Sequence, residues 1–152
     1  MINLNKEASI VKDEMRMFLI RHGAIVAVLG SLAGLGYMFV ITGEFPGSFK
    51  AWHLAHLQGV LTGIMILAVS SLVTRLSLDE RKLRILAYSF VLFGYCYSIG
   101  PVFGAVIGVK GLEPALPVGN LIFYASNTIA SLSVLVGLGL IIYGARKPRT
   151  GT

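Results

Sequence analysis

The sequence predicts an all-α fold: a four-helix transmembrane bundle, up-down-up-down with short loops, and with both termini on the cytoplasmic side. Three observations lead to this prediction, namely the composition, four long apolar segments and the positions of the basic residues. Of the 152 residues, 55% are hydrophobic and 13% are charged, whereas a soluble domain carries about 25% charged residues. The mean hydropathy is +0.79. We therefore expect residues 1–152 to form a single integral membrane domain surrounded by the lipid bilayer.

The four apolar segments comprise residues 18–42, 52–73, 85–107 and 118–143. Each is close to or longer than the roughly 20 residues that a helix needs to cross a hydrocarbon core of about 30 Å. Because lipid offers the backbone no hydrogen-bond partner, runs of this length are expected to be helical. The links are short, so consecutive helices are expected to be antiparallel. For the polar N-terminal arm up to Arg16 two interpretations stay open, a short helix along the membrane surface or a frayed end.

The basic residues indicate the orientation in the membrane. Eleven of the 13 Lys and Arg residues lie in the N-terminal arm and first helix entry, in the second loop, or in the C-terminal tail. The first and third loops have one each, Lys50 and Lys110. By the positive-inside rule, both termini and the second loop face the cytoplasm. The basic residues lie at the ends of apolar runs without interleaved aromatic residues, which argues against a nucleic-acid partner.

The apolar segments are poor in ionisable groups, which disfavours several classes of function. None of them contains an aspartate, a glutamate or a lysine. Proton pumps and ion-coupled transporters use such groups as relays inside the membrane. Chemistry that needs a pair of carboxylates is disfavoured for the same reason.

Three histidines remain as candidate functional residues, and His56 is the strongest of them. Trp52 at i−4, Gly59 at i+3 and Gly63 at i+7 share its helix face. A glycine surface beside an imidazole suits a haem, because the histidine supplies an axial ligand and the glycines leave space for the macrocycle. Two other interpretations stay open: the glycines only let helices pack closely, or Trp52, His53 and His56 are only an interfacial belt.

The other two histidines bear on how many ligands a metal would have. His22 lies near the cytoplasmic end of the first helix, whereas His56 lies near the outer end of the second. We expect most of the bilayer thickness between them, so that one chain does not hold an iron between two histidines. A single histidine leaves the sixth iron position open, which favours Lewis-acid or ligand-binding chemistry over simple electron transfer. Zinc is less favoured, because it needs three or four ligands and only His53 and His56 are close together.

The first loop and the second helix resemble those of the bacterial styrene oxide isomerases. The residues that carry the resemblance are Pro46, Gly47, Ser48, Trp52, Ala55, His56 and Gly63, together with His22 and Gly23 at the start of the first helix. The resemblance is clearest over residues 21–72. The chain length, the four spans and the short loops agree with it.

The resemblance implies a function, a cofactor and an assembly. Members of this family bind haem b at the interface between the subunits of a homotrimer, and a histidine on the second helix, matched by His56, ligates the iron. Ferric iron acts as a Lewis acid on a styrene oxide-like aryl epoxide, the ring opens, and a 1,2-hydride shift gives an aldehyde (the Meinwald rearrangement). The implied location is the inner membrane of a bacterium. The expected cofactor-binding residues are His56, Trp52, Gly59, Gly63 and His22.

The third helix departs from the family pattern. Where the family has an aspartate and, further on, a tyrosine at the substrate pocket, this chain has Phe93 and Pro101. Tyr95 or Tyr97, each within a turn or two, is the candidate replacement for the phenol.

Two further positions differ in their polar side chain. Thr62 stands where the family has an asparagine, and Asn120 stands roughly where it has an acidic residue. The candidate catalytic residues are therefore Tyr95, Tyr97, Thr62 and Asn120. Haem-dependent epoxide isomerisation is the leading hypothesis for the function. The alternatives are a non-enzymatic membrane haem protein for electron transfer or sensing, and an accessory membrane subunit without a cofactor.

Overall fold

The computed structural model describes residues 4–146, with side chains from residue 9 onwards. The helices are α1 (Leu4–Ile41), α2 (Phe49–Leu72), α3 (Glu80–Ile107) and α4 (Val118–Ala145), with a short 3-10 turn at Val73–Arg75 after α2. All four helices of this described part are long and apolar enough to cross a membrane. The predicted all-α fold with four candidate membrane spans is thereby confirmed, and each predicted segment matches one helix to within a few residues, except at the start of α1.

Helix α1 begins much earlier than the first apolar segment. It is 38 residues long, which corresponds to about 57 Å and exceeds the hydrocarbon core by far. The N-terminal arm is therefore neither a separate surface helix nor a frayed end from Leu4 onwards, because it continues straight into the first span. Met15 and Leu19 are buried there, and Lys12 Nζ donates a hydrogen bond to the Leu76 carbonyl (3.0 Å). These contacts pack the polar arm against the second loop and so stabilise its helical conformation.

Local capping explains where α2 and α3 begin and where α3 ends. Ser48 caps α2, its hydroxyl accepting a hydrogen bond from the Ala51 amide, and Asp79 caps α3 by accepting one from the Lys82 amide. Such side chains satisfy amides that have no partner within the helix. Gly108 ends α3 in the left-handed conformation (φ 74°) that favours glycine.

Helices α1 and α2 approach each other so closely that their backbones touch. A β-carbon built on Gly30 would lie 2.7 Å from the Gly59 Cα, and one built on Gly63 would lie 2.5 Å from the Ala27 amide nitrogen. Real side chains do not tolerate such distances, so glycine is required at this crossing. We call the contact formed by Ala27, Gly30, Gly59 and Gly63 the glycine seam.

Helix α3 completes the core, and α4 packs mainly on α3. The largest buried side chains include Leu19, Ile66, Leu86 and Phe90, which come from the first three helices. Phe90 also reaches α4, where a β-carbon on Gly137 would lie 2.7 Å from its ring. The outer helices α1 and α4 therefore keep broad apolar faces, as expected for surfaces in contact with lipid.

One end of the bundle collects the second loop, the start of α1 and the end of α4. Ser77 donates its amide to the Gly144 carbonyl (3.1 Å), and Lys12 reaches Leu76 from α1. Arg84 lies 3.6 Å from Glu14 across the same region. We call this the basic end, because most of the described basic residues lie in these elements or next to them.

We predict that Gly30→Leu destabilises the protein by about 3 kcal/mol or more, because overpacking at a backbone contact forces the helices apart. The matched control is Gly139→Leu, where a β-carbon meets nothing within 4 Å. The measurement is helicity in detergent as a function of temperature or of added sodium dodecyl sulfate. Equal stability of the two variants would contradict the glycine seam.

Candidate functional site

His56 lies at the glycine seam with its imidazole held in a defined orientation. Its Nδ1 is 2.9 Å from the Gly30 carbonyl oxygen of α1. Because a carbonyl only accepts, Nδ1 must carry the ring proton and donate it, which leaves the Nε2 lone pair free. Metal-bound histidines typically donate their other ring nitrogen to a backbone carbonyl or a carboxylate in this way. The His56 side chain is half-buried.

Gly34 provides the room for this arrangement. A β-carbon there would lie 2.8 Å from His56 Nδ1 and 3.0 Å from Cε1. Gly34 is one helical turn after Gly30, so the absence of a side chain leaves the Gly30 carbonyl open to a second donor. The spacing of these two glycines is visible in the sequence, but it does not reveal that a histidine of α2 occupies the space.

The predicted face of α2 exists, and it faces α1. Trp52 lies against Gly36, where a β-carbon would be 2.8 Å from its Cη2, and Gly59 and Gly63 form the glycine seam. The space beside these two glycines is thus filled by the α1 backbone within the same chain. For Gly59 and Gly63 the structure supports the helix-packing interpretation, and a flat group bound at Nε2 has to lie outside the seam.

His22 belongs to a different cluster. Its Nδ1 is 2.9 Å from the Tyr95 hydroxyl, and its ring packs on Phe18 with centroids 4.4 Å apart. His22 precedes Gly30, the partner of His56, by eight residues, or about 12 Å along the axis. This offset is smaller than most of the bilayer thickness, which the sequence suggested. The two imidazoles have different partners, the Tyr95 hydroxyl for His22 and the Gly30 carbonyl for His56.

Tyr95 and Tyr97, the two candidates for the missing phenol, point to different surroundings. Tyr95 pairs with His22 at the α1–α3 contact. Tyr97 stacks on Phe93 (centroids 5.3 Å apart) and lines a groove of about 430 Å³ between α2 and α4. Polar side chains from both helices also line this groove: Gln58, Tyr124, Asn127, Thr128 and Ser131. We call it the polar groove.

Gln58 is a polar-groove residue that the sequence reasoning missed. Its Oε1 is buried and has no hydrogen-bond partner among the described residues. A lone amide inside an apolar span was a signal, because uncompensated polar groups are costly in a membrane. Tyr97 and Gln58 therefore both line the polar groove, and the amide oxygen of Gln58 is buried without a partner.

Asn120 and Thr62 are both buried but do not join His56 by any hydrogen bond. Asn120 Oδ1 accepts from the Gly111 amide (2.9 Å), and Nδ2 donates to the carbonyls of Glu113 (2.8 Å) and Ala115 (3.0 Å). These bonds fold the third loop back onto the start of α4. The geometry gives Asn120 a structural task in that loop, whereas Thr62 is a buried α2 residue with 4% of its surface exposed.

His53 lies at the opposite end of the bundle from the second loop, in an aromatic stack. Its ring is 5.0 Å from Tyr37 and 6.1 Å from Phe49. Within residues 4–146, no three His, Cys, Asp or Glu side chains come together as a group that could hold a metal ion. A metal at His56 would therefore depend on ligands from a prosthetic group.

One comparison with known proteins identifies the family of the chain. A search of curated proteins gave no match. The family model described as styrene oxide isomerase matches residues 15–146, which include both helices of the glycine seam and both tyrosines of α3. Since this match covers most of the chain, the protein belongs to the styrene oxide isomerase family.

Proposed function

We propose that the protein isomerises an aryl epoxide of the styrene oxide type to an aldehyde, with ferric haem b bound at His56. Family membership supports an epoxide isomerase in general. The observation that carries the haem proposal is the hydrogen bond from His56 Nδ1 to the Gly30 carbonyl. It fixes the tautomer and the ring orientation, and it increases the basicity of Nε2 as an axial ligand.

The residues present fit such a group through His56 alone. Bound ferric haem supplies a Lewis acid for the epoxide oxygen. The chain supplies the oriented imidazole, an apolar surrounding that excludes water, and no carboxylate or lysine that would compete for the metal within the apolar segments. The rearrangement moves a hydride between neighbouring carbons of one molecule and exchanges no net proton or electron, so it needs no relay across the membrane.

The phenol of Tyr97 is the better candidate for contact with the substrate oxygen. Tyr95 already has His22 as a partner, whereas Tyr97 lines the polar groove next to Gln58. A phenol O–H can donate to an oxygen that gains negative charge as its C–O bond breaks. Tyr97 would thereby replace the family tyrosine whose position is Pro101 here.

The positions of these residues on α2 support an assembly of several subunits. His56 contacts α1, while Gln58, two residues on, lines the polar groove toward α4. Two residues rotate a helix position by about 200°, so one chain does not bring His56 and the polar groove to one substrate. We therefore include a homotrimer in the proposal, in which His56 of one subunit and the polar groove of the next share a site.

The proposed location is the inner membrane of a bacterium. The proposed topology is up-down-up-down, with both termini in the cytoplasm. The hydrogen bonds at the basic end support this orientation, since they join the start of α1, the second loop and the end of α4. The excess of Lys and Arg at these elements marks them as cytoplasmic.

We predict that the purified wild-type protein has a Soret band and that His56→Ala loses it, because the proposed iron ligand is removed. His53→Ala is the matched control on the same helix and is expected to keep the band. Absorption spectra at equal protein concentration make the measurement. A colourless wild-type protein would remove the haem proposal and favour an accessory subunit. A Soret band without conversion of styrene oxide would favour electron transfer or sensing.

We predict that Tyr97→Phe lowers kcat for conversion of styrene oxide to phenylacetaldehyde by about tenfold to a hundredfold, the usual value of a hydrogen bond to a charged atom. Tyr95→Phe removes the bond to His22 and is expected to change kcat much less. Product is quantified by gas chromatography with haem content held equal. The reverse order of the two effects would assign the phenol to Tyr95.

We predict that a fluorescent protein fused to the C-terminus emits in intact bacteria, whereas alkaline phosphatase fused there is inactive. The same two reporters inserted after Gly47, in the first loop, should give the opposite pattern. An active phosphatase at the C-terminus would contradict the proposed orientation.

A further inference from the structure

Two open grooves meet at the start of α3, at the basic end of the bundle. The α3–α4 groove has a volume of about 700 Å³ and lies between the first turns of α3 and the last turns of α4. The Tyr88 groove has a volume of about 560 Å³ and runs along a neighbouring face of α3. Arg81 and Ile85 line both grooves. We call these two residues, which separate the grooves, the Arg81 ridge.

The charged side chains around the Arg81 ridge are paired with one another, apart from Arg81 itself. Lys82 forms an ion pair with Asp79, and Arg84 lies 3.0 Å from Glu80. Arg81 is exposed and makes no ion pair or hydrogen bond with any residue in the part of the chain that the structure describes. Among the three basic residues in the first two turns of α3, Arg81 is therefore the one that is available to an external anion.

The position of Arg81 along α3 corresponds to the edge of the hydrocarbon core. Arg81 precedes Ile85, the first residue of the third apolar segment, by four residues, or about 6 Å along the axis. From Ile85 onwards the linings of both grooves are largely apolar and face outward: Ile85 is 41% exposed, Leu135 63% and Tyr88 54%. A cation thus lies at headgroup depth, above two grooves that continue toward the acyl chains.

Gly139 makes the α3–α4 groove deeper than an ordinary helix surface. A β-carbon built there would meet nothing within 4 Å, although large aliphatic side chains surround it. Leu135 and Val136, which are more than 45% exposed, precede it by about one helical turn, and Leu140 follows it. The result is a recess between α3 and α4 whose walls are apolar, and a flexible hydrocarbon chain can fill it.

We propose that the Arg81 ridge binds one anionic phospholipid per chain, with the phosphate at Arg81 and one acyl chain in each groove. A guanidinium donates two parallel N–H bonds to phosphate oxygens, and basic pockets between membrane helices are a known type of anionic lipid site. An anionic lipid matches the single available cation, whereas a zwitterionic lipid also brings a positive group toward Lys82. The site is 16 residues, or about 24 Å, from Tyr97 along α3, and it depends neither on haem nor on isomerase activity.

Native mass spectrometry of the full-length protein in a neutral detergent tests the proposal. The protein is titrated with phosphatidylglycerol and, separately, with phosphatidylcholine that has the same acyl chains. We expect one preferred phosphatidylglycerol adduct per chain, with a Kd about threefold to tenfold lower than that of phosphatidylcholine. Arg81→Gln should abolish this preference, and Arg81→Lys should retain part of it, because lysine keeps the charge without the planar fork. The matched control is Arg75→Gln, which removes an exposed positive charge of the second loop that lines neither groove.

A second pair of variants tests the seat of the acyl chain. Gly139→Leu fills the recess and should weaken the adducts of both lipids, whereas Leu138→Phe, an exposed neighbour outside the grooves, should leave them unchanged. Equal Kd values for the two lipids, or an equal loss of preference in Arg75→Gln, would overturn the proposal. Displacement of phosphatidylglycerol by inorganic phosphate would also overturn it and indicate a site for free anions. Disulfide-linked dimers of Leu135→Cys in native membranes, without such dimers of the wild type, would instead identify a second copy of the chain as the occupant.

Discussion

The contact between Gly30 and Gly59 is the constraint on which the rest of the molecule depends. Because no side chain separates α1 from α2 there, a ring on α2 can reach a backbone carbonyl of α1. The carbonyl is reachable only since Gly34, one turn further, has no β-carbon to cover it. A helix pair at an ordinary distance of 8–10 Å would leave His56 without that acceptor, free to rotate and with either nitrogen protonated. The glycines thus act on the histidine through the distance between two helices, and not as a surface for a ligand.

The membrane explains why polar side chains divide so clearly into two groups. Lipid provides no hydrophobic force between helices, so close packing and hydrogen bonds stabilise the bundle. Asn120 uses three hydrogen bonds to hold the third loop, and Ser126 bonds the Cys96 carbonyl between α4 and α3. Gln58 and Ser98 have equally buried polar atoms and no partner in the described chain. The first group stabilises the fold, whereas the second group makes no such bond, and one of its members, Gln58, lines the polar groove.

Sequence alone predicts the helices well, because a run of about 20 apolar residues has one stable conformation in lipid. It does not predict the start of α1, since the helical order of the arm around Met15 comes from tertiary contacts with the second loop. The helical periodicity also predicts the face of α2 that contains Trp52 and His56. It does not predict what this face contacts, because close helix packing and a flat ligand both require Gly59 and Gly63 to be small. The axial offset between His56 and His22 also depends on where α1 crosses α2, and a helical wheel of one helix does not show this crossing.

The division of chemistry over two sides of α2 has a consequence for symmetry. His56 contacts α1 and the polar groove faces α4, so in the proposed assembly a subunit would contribute to two different sites. Two such surfaces are not self-complementary, and contact between them is heterologous, which closes only as a ring. In a closed ring every His56 meets the polar groove of the next subunit, and no half-site is left over. A two-fold dimer has one shared interface patch, and two surfaces on opposite sides of α2 cannot both belong to that patch. Among small assemblies, the proposed cyclic trimer therefore suits the residues better than a two-fold dimer.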